Sequence, residues 1–113
     1  QDGSILHADE GEPCVIGNRV SLGHAAIVHA SVVEDDALIA IRATVLSRCR
    51  IGRGALIAAG AVVLEGTDVP PSTLWAGCPA RQIRELTKSD QSRLSDTWKH
   101  YVNAATLRRE CQS

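Results

Sequence analysis

The chain has 113 residues, 12 Lys and Arg against 13 Asp and Glu, and a net charge of -1. That balance leaves no basic footprint for nucleic acid, no run is long and apolar enough to cross a bilayer as a helix, and the length fits one small domain. Phe and Met are both absent, so the core must be built from aliphatic side chains. The missing Met and a start inside an established pattern predict that an N-terminal portion, with any targeting peptide it carried, is absent.

Large aliphatic residues recur every six positions at Val33, Ile39, Val45, Ile51, Ile57, Val63 and Val69. Small residues follow four places later at Ala37, Ala43, Cys49, Ala55, Ala61 and Thr67. Upstream, Ile16, Leu22 and Val28 keep the spacing, and the step from Val28 to Val33 is one residue short. A six-residue period fits neither a helix nor a plain alternating strand. It predicts an all-β repeat fold in which short flat strands alternate with bends, three hexads to a coil, each coil stacking on the next. Such a coil has no room for rings in its axis, in agreement with the missing Phe. Gly17, Gly23, Gly52 and Gly60 are predicted at tight corners that use their freedom of φ, and a bulge is predicted at Asp9-Glu10-Gly11-Glu12-Pro13.

The repeat is predicted to stop near Asp68-Val69-Pro70-Pro71, because two successive prolines remove donors from the strand ladder. Trp75 to Ile83 reads as an irregular exit segment. From Thr87 the spacing of Leu94, Trp98, Val102 and Ala105 predicts an amphipathic helix, capped by Thr87 with Asp90, or by Ser89. The chain thus divides into a coil with its exit, 1–86, and a helix, 87–111, that packs on the coil or across a subunit boundary. Open coil ends are unpaired sheet edges and need end-on or lateral protection.

Cys14, Cys49, Cys78 and Cys111 lack metal-finger spacing, and Cys49 occupies a small-residue address of the core, so free thiols in a reducing compartment are expected. Arg42, Arg48, Arg50 and Arg53 form a local basic cluster. It reads as a solvated or subunit-contact face answered by acids such as Glu34, Asp35 and Asp36, with anion attraction as the alternative.

His7, His24 and His29 fall within 23 residues of a regular coil. Neutral imidazoles are the preferred nitrogen ligands of a catalytic zinc, and three of them leave a fourth position for water. With three hexads per coil, His24 and His29 lie nearly one face apart, whereas His7 lies about one coil below His29. The arrangement that meets these constraints joins His7 and His29 of one subunit to His24 of a neighbour around a threefold axis.

Gln1-Asp2-Gly3-Ser4-Ile5-Leu6-His7, Val15 through His24, Val28-His29, Trp75-Ala76-Gly77-Cys78-Pro79-Ala80-Arg81 and Arg84-Glu85-Leu86-Thr87 together resemble the gamma-class carbonic anhydrase family. The resemblance implies a left-handed parallel β-helix with a C-terminal α-helix, an exception to the usual hand of parallel crossovers. It implies a homotrimer or heterotrimer with metal between subunits, held by His7, His24 and His29. Zn(2+) is the first expectation, and histidine nitrogens also accept Fe(2+) or Co(2+).

The chemistry implied is hydration of carbon dioxide to bicarbonate. By the same resemblance Gln1 orients the attacking oxygen, Asp2 is an acceptor beside the site or at the subunit interface, and Glu10 is a proton shuttle, with surface loop charge as its blander account. Tyr101 and Asn103 match residues near the site in certain members, and helix packing explains Tyr101 equally well. The family usually has glycine where this chain has Ala30, Ala40 and Arg42, and Asn where it has Cys78.

Two other roles stay open. One is a carbonic-anhydrase-like subunit of mitochondrial respiratory complex I, for which Val33-Glu34-Asp35-Asp36 and Val62-Val63-Leu64-Glu65 supply a local likeness, with membrane subunits as partners. The other is a hexapeptide acyltransferase, which would use one histidine as a base with coenzyme A between coils. The compartment is accordingly the matrix side of the mitochondrial inner membrane or the cytoplasm.

Overall fold

The computed structural model describes residues 3–8, 11–90 and 92. In them the hexads form a left-handed parallel β-helix. Its strands are β1 (Ile5–His7), β2 (Val15–Ile16), β3 (Ser21–Leu22), β4 (Ile27–His29), β5 (Val32–Val33), β6 (Leu38–Ile39), β7 (Thr44–Val45), β8 (Arg50–Ile51), β9 (Leu56–Ile57), β10 (Val62–Val63), β11 (Asp68–Val69), β12 (Thr73–Ala76) and β13 (Arg81–Glu85). They stack into three sheets, β1-β4-β7-β10, β2-β5-β8-β11 and β3-β6-β9-β12-β13.

The pitch is the predicted three hexads. Thr44 pairs with Val62, Arg50 with Asp68 and Leu56 with Leu74, 18 positions on in each case. One coil lower the step is 17, as in Ile27 to Thr44. The missing residue belongs to the corner where Ala30 and Ser31 alone bridge β4 and β5. Ser31 makes up the deficit: its buried hydroxyl donates to the Leu46 carbonyl at 2.7 Å and accepts the Cys49 amide at 3.0 Å. At the first coil the step is 22, from Ile5 to Ile27. The predicted bulge between β1 and β2 therefore carries four surplus residues.

Large and small residues keep their addresses. Val33, Ile39, Val45, Ile51, Ile57, Val63 and Val69 are buried in the axis, and Ala37, Ala43, Cys49, Ala55 and Ala61 are buried beside them. A column only two strand residues wide has no slack, so each methylene removed from it leaves a void the stacked neighbours cannot close. The column does end on a ring. Trp75 lies in register with Ile57, packs on the core, and donates its indole N–H to the Thr73 hydroxyl at 3.1 Å.

Corner conformation corrects the expectation for glycine. Arg19, Ala25, Ala30, Asp36, Arg42, Arg48, Gly54, Gly60, Gly66 and Ser72 all have positive φ, at intervals of six except beside Ala30. A residue other than glycine there costs about 1 kcal/mol or more. Of the four glycines predicted to need this freedom, Gly60 uses it. Gly23 and Gly52 serve close approach instead. A Cβ at Gly52 would fall 2.5 Å from Pro71 N, and one at Gly23 would run into the Ile41 amide. Gly17 is likewise pressed against Asp35.

The repeat does not stop at the two prolines. Pro70 and Pro71 form a corner, and β12 continues the third sheet beyond them. The position after each strand normally donates its amide to the coil above, as Gly17 does to Val33 at 2.7 Å and Gly52 to Val69 at 2.8 Å. β11 is the last strand of its sheet, so Pro70 has no acceptor above it and its missing N–H costs nothing.

Nor is the exit irregular. β12 and β13 pair antiparallel, while Gly77 and Ala80 bond to both sides of Val62, at 3.0 and 2.8 Å. The upper ends of the three sheets thus carry a hairpin strand, a turn and a proline pair. The following helix begins at Lys88 with the predicted cap: the Asp90 carboxylate accepts the Thr87 amide at 2.8 Å and the Thr87 hydroxyl accepts the Asp90 amide at 3.1 Å. Leu94, Trp98, Val102 and Ala105 lie outside the described residues.

Candidate functional site

His7 ends β1 and His29 ends β4, and the two are register partners on adjacent rungs. Their ring centres are 5.1 Å apart at an interplanar angle of 61°. The four surplus residues between β1 and β2 make this possible, because they are spent after His7 and leave the ladder undisturbed. Beyond the pair, the Ala30 amide donates to the His7 carbonyl at 2.5 Å, tying the short corner to the rung below. The sequence signal for this anchor is the five-residue step from Val28 to Val33.

His24 stands apart, at the exposed corner between β3 and β4. It therefore approaches the first sheet from the edge opposite to His7 and His29. Among the described residues no three His, Cys, Asp or Glu side chains come together as a metal-binding group. One chain brings two of its three candidate ligands, His7 and His29, together. Two imidazoles bound tetrahedrally to one zinc at about 2.0–2.1 Å place their ring centres about 5 Å apart, so the His7–His29 pair fits half of such a centre. Gln1, Asp2, Glu10, Tyr101 and Asn103 lie outside the described residues.

The basic run between Arg42 and Arg53 is not a local cluster. Neighbours six apart in sequence turn onto different edges of the coil. Arg50 and Arg53 meet the acids predicted for them: Arg50 holds Glu34 through its Nε at 2.9 Å, and Arg53 lies 3.5 Å from Asp36. Arg19 reaches up to Asp36 with two bonds of 2.7 and 3.1 Å. Hydrogen bonds from Arg50 and Arg19 respectively hold the Glu34 and Asp36 carboxyls below their ordinary range. Arg48 faces Glu12 and Glu65 on the edge next to His29.

Arg42 occupies the edge of His24. Its amide donates to the His24 carbonyl at 2.9 Å, its φ is +60°, and its side chain is exposed. No ion-pair partner for it occurs among the described residues. Of the three positions where the resembling family has glycine, Ala30 and Arg42 are left-handed and Ala40 is not.

Cys14, Cys49 and Cys78 are free thiols. Burial pushes the Cys49 thiol up, so it is a core residue and not a nucleophile. Cys111 lies outside the described residues, in which no helix is long and apolar enough to cross a membrane.

Comparison with known proteins places this geometry. Residues 30–65 match the family model of the bacterial transferase hexapeptide, six repeats. The chain is 34% identical over 113 residues to gamma carbonic anhydrase 2, mitochondrial, of Arabidopsis thaliana, an alignment covering 95% of this chain and 41% of the relative. It is 41% identical over 102 residues to a carbonic anhydrase of Geobacillus kaustophilus, covering 90% of this chain and 56% of the relative. A crystal structure of a Bacillus cereus protein assigned as an acetyltransferase superposes with a TM-score of 0.90 at 34% identity, covering 96% of this chain and 63% of that one. The chain thus spans about half the length of these curated relatives. Hexad addresses, left-handed coil, hairpin exit and these likenesses converge on the hexapeptide-repeat left-handed β-helix fold that acyltransferases and gamma-class carbonic anhydrases share.

Proposed function

We propose that the chain builds an interfacial histidine centre of the gamma carbonic anhydrase type, hydrating carbon dioxide to bicarbonate. The observation that carries this is the His7–His29 register pair at 5.1 Å, with His24 at the opposite edge of the same sheet. Three copies around a threefold axis would bring the His24 edge of one to the His7–His29 edge of the next. Exposed Ile5 on the first sheet, with Ile41 and Leu64 exposed on its two flanking corners, supports burial of this face between copies.

A divalent ion, zinc foremost and Fe(2+) or Co(2+) as alternatives, would supply a water of lowered pKa. The protein's part is to hold and orient. His7 and His29 are fixed by the ladder and His24 by its corner, and imidazoles must be neutral to serve as ligands. By family resemblance Gln1 orients the attacking oxygen, Asp2 accepts a hydrogen bond beside it, and Glu10 passes the released proton to solvent. By the same resemblance Tyr101 and Asn103 match residues near the site in certain members.

A specific observation favours a second role. The matched family model is named for a transferase and the Bacillus cereus structure is assigned as an acetyltransferase, which supports a coenzyme A-dependent acyltransferase with one histidine as base. A role as a structural subunit of respiratory complex I, in the mitochondrial matrix, is the other alternative, and the mitochondrial Arabidopsis relative supports its compartment alone.

The deciding experiment measures metal content, carbon dioxide hydration and acetyl-coenzyme A binding on the native assembly, parent against His24→Ala. Stoichiometric metal and turnover that both fall with His24→Ala support the interfacial enzyme. Metal without turnover assigns a structural subunit. Acetyl-coenzyme A binding with no metal assigns the acyltransferase.

A further inference from the structure

Four charged residues sit at left-handed corners: Arg19, Asp36, Arg42 and Arg48. Glycine relieves that conformation and fills it at Gly54, Gly60 and Gly66, so each charged side chain kept there needs an offsetting interaction. Three have one within the chain. Arg19 and Asp36 bond each other, Arg53 adds to Asp36, and Arg48 lies between Glu12 and Glu65. Arg42 has none among the described residues, although its corner is built to the same pattern and anchored to His24.

We propose that Arg42 is a binding residue for a small planar oxyanion of the bicarbonate or carboxylate class, held at the His24 corner. Its location follows from the coil. Arg42 lies one rung above His24 on the same edge, with its amide on the His24 carbonyl at 2.9 Å, so the guanidinium extends from the corner that carries the third candidate ligand. Its chemistry follows from the fork. A guanidinium presents parallel N–H donors that match the two oxygens of a carboxylate-type anion, and it stays charged at every working pH. Among the described residues, Glu34 and Asp36 are already committed, since they serve Arg19, Arg50 and Arg53 on another edge. The site would therefore recruit its anion from solution, and the product bicarbonate has the required shape. The assignment of bicarbonate as product rests on the carbonic anhydrase reading, and oxyanion binding by Arg42 does not.

The test titrates sodium bicarbonate against the native assembly, with sodium chloride of equal ionic strength as reference, and follows the melting temperature and the sedimentation velocity. It is run on metal-loaded and chelator-treated protein. Parent, Arg42→Gly and Arg42→Lys are compared; the glycine variant relieves the corner and so keeps the fold. Bicarbonate is expected to raise the melting temperature of the parent beyond the chloride reference. Its apparent affinity should fall about tenfold in Arg42→Gly and by less in Arg42→Lys, which keeps the charge and loses the fork. An equal bicarbonate response in parent and Arg42→Gly overturns the proposal. So does a smaller particle on sedimentation of Arg42→Gly, which would identify the partner as a carboxylate side chain of a second copy. A bicarbonate response that persists without metal and still requires Arg42 upholds the proposal even if the protein proves to hold no metal.

Discussion

His7 lies directly across the ladder from His29 although the two are 22 positions apart, where a regular coil advances 18. Backbone register, and not a flexible loop, sets the separation of the pair. The four additional residues are absorbed where they do not disturb it.

Subunit exchange reads out the division of the site. If His7 and His29 come from one chain and His24 from its neighbour, His24→Ala and His29→Ala variants are each inactive alone. Refolded together in equal amounts, they restore intact sites wherever the two kinds face each other in the right order, about a quarter of all sites for random trimers. Metal bound per chain and hydration rate should recover to that fraction. No recovery after verified mixing would mean that a single chain supplies the full set.

Two kinds of glycine should respond by different amounts, for different reasons, to the same substitution. Gly60→Ala puts a Cβ at a left-handed corner with open space around it and should cost about 1 kcal/mol. Gly23→Ala drives a Cβ into the backbone of Ile41 and Ala40 and should cost roughly 2–3 kcal/mol by forcing the coils apart. Chemical denaturation of the assembly at fixed protein concentration compares them. The reverse order would contradict the close stacking of that corner.

Ser31→Ala strips the short corner of its bridge. The Leu46 carbonyl and the Cys49 amide both lose their side-chain partner, at a cost of about 1–3 kcal/mol for buried groups left unmade. The loss should appear as a lower denaturation midpoint with an unchanged slope. A stability equal to the parent would show that water replaces the hydroxyl.

Acid should loosen the corner of Glu34 and Asp36. Their carboxyls are held below the ordinary range in the folded state by Arg50 and Arg19, so the unfolded chain binds protons more readily than the native one. Their contribution is complete above the unfolded values near about pH 4 and is lost as pH falls through the folded ones. Asp90, bonded by Arg84 and by Thr87, behaves alike. Replacing Glu34 and Asp36 by Gln and Asn should lower stability at neutral pH and flatten its fall below pH about 4. A fall as steep as that of the parent would place the acid sensitivity elsewhere.

The hexad addresses were fully legible because a two-residue strand admits one inward side chain, and only a large aliphatic fills it. Val33 through Val69 could be placed by counting. Proline was misjudged at Pro70 because its cost depends on whether a further strand lies above, which spacing does not say. Gly17, Gly23 and Gly52 were misjudged because sequence shows that a glycine is needed but not whether φ or proximity demands it. Arg42, Arg48, Arg50 and Arg53 look adjacent in the chain, and the coil deals them onto three edges; that Arg42 has no ion-pair partner among the described residues follows only from that distribution. The His7–His29 pairing was anticipated from the bulge, since a ladder of fixed pitch leaves an insertion no other place to go.

The upper end has a consequence for how copies can meet. The Gly77–Ala80 turn over β10 and the proline pair after β11 interrupt the backbone template of two sheets there, and on the third the antiparallel β13 becomes the outer strand. A solenoid is by nature open to indefinite growth along its axis. This one ends two of its three sheets in a turn and a proline pair, so among the described residues a further coil cannot continue the helix at that pole, and strand addition there is confined to the outer edge of β13.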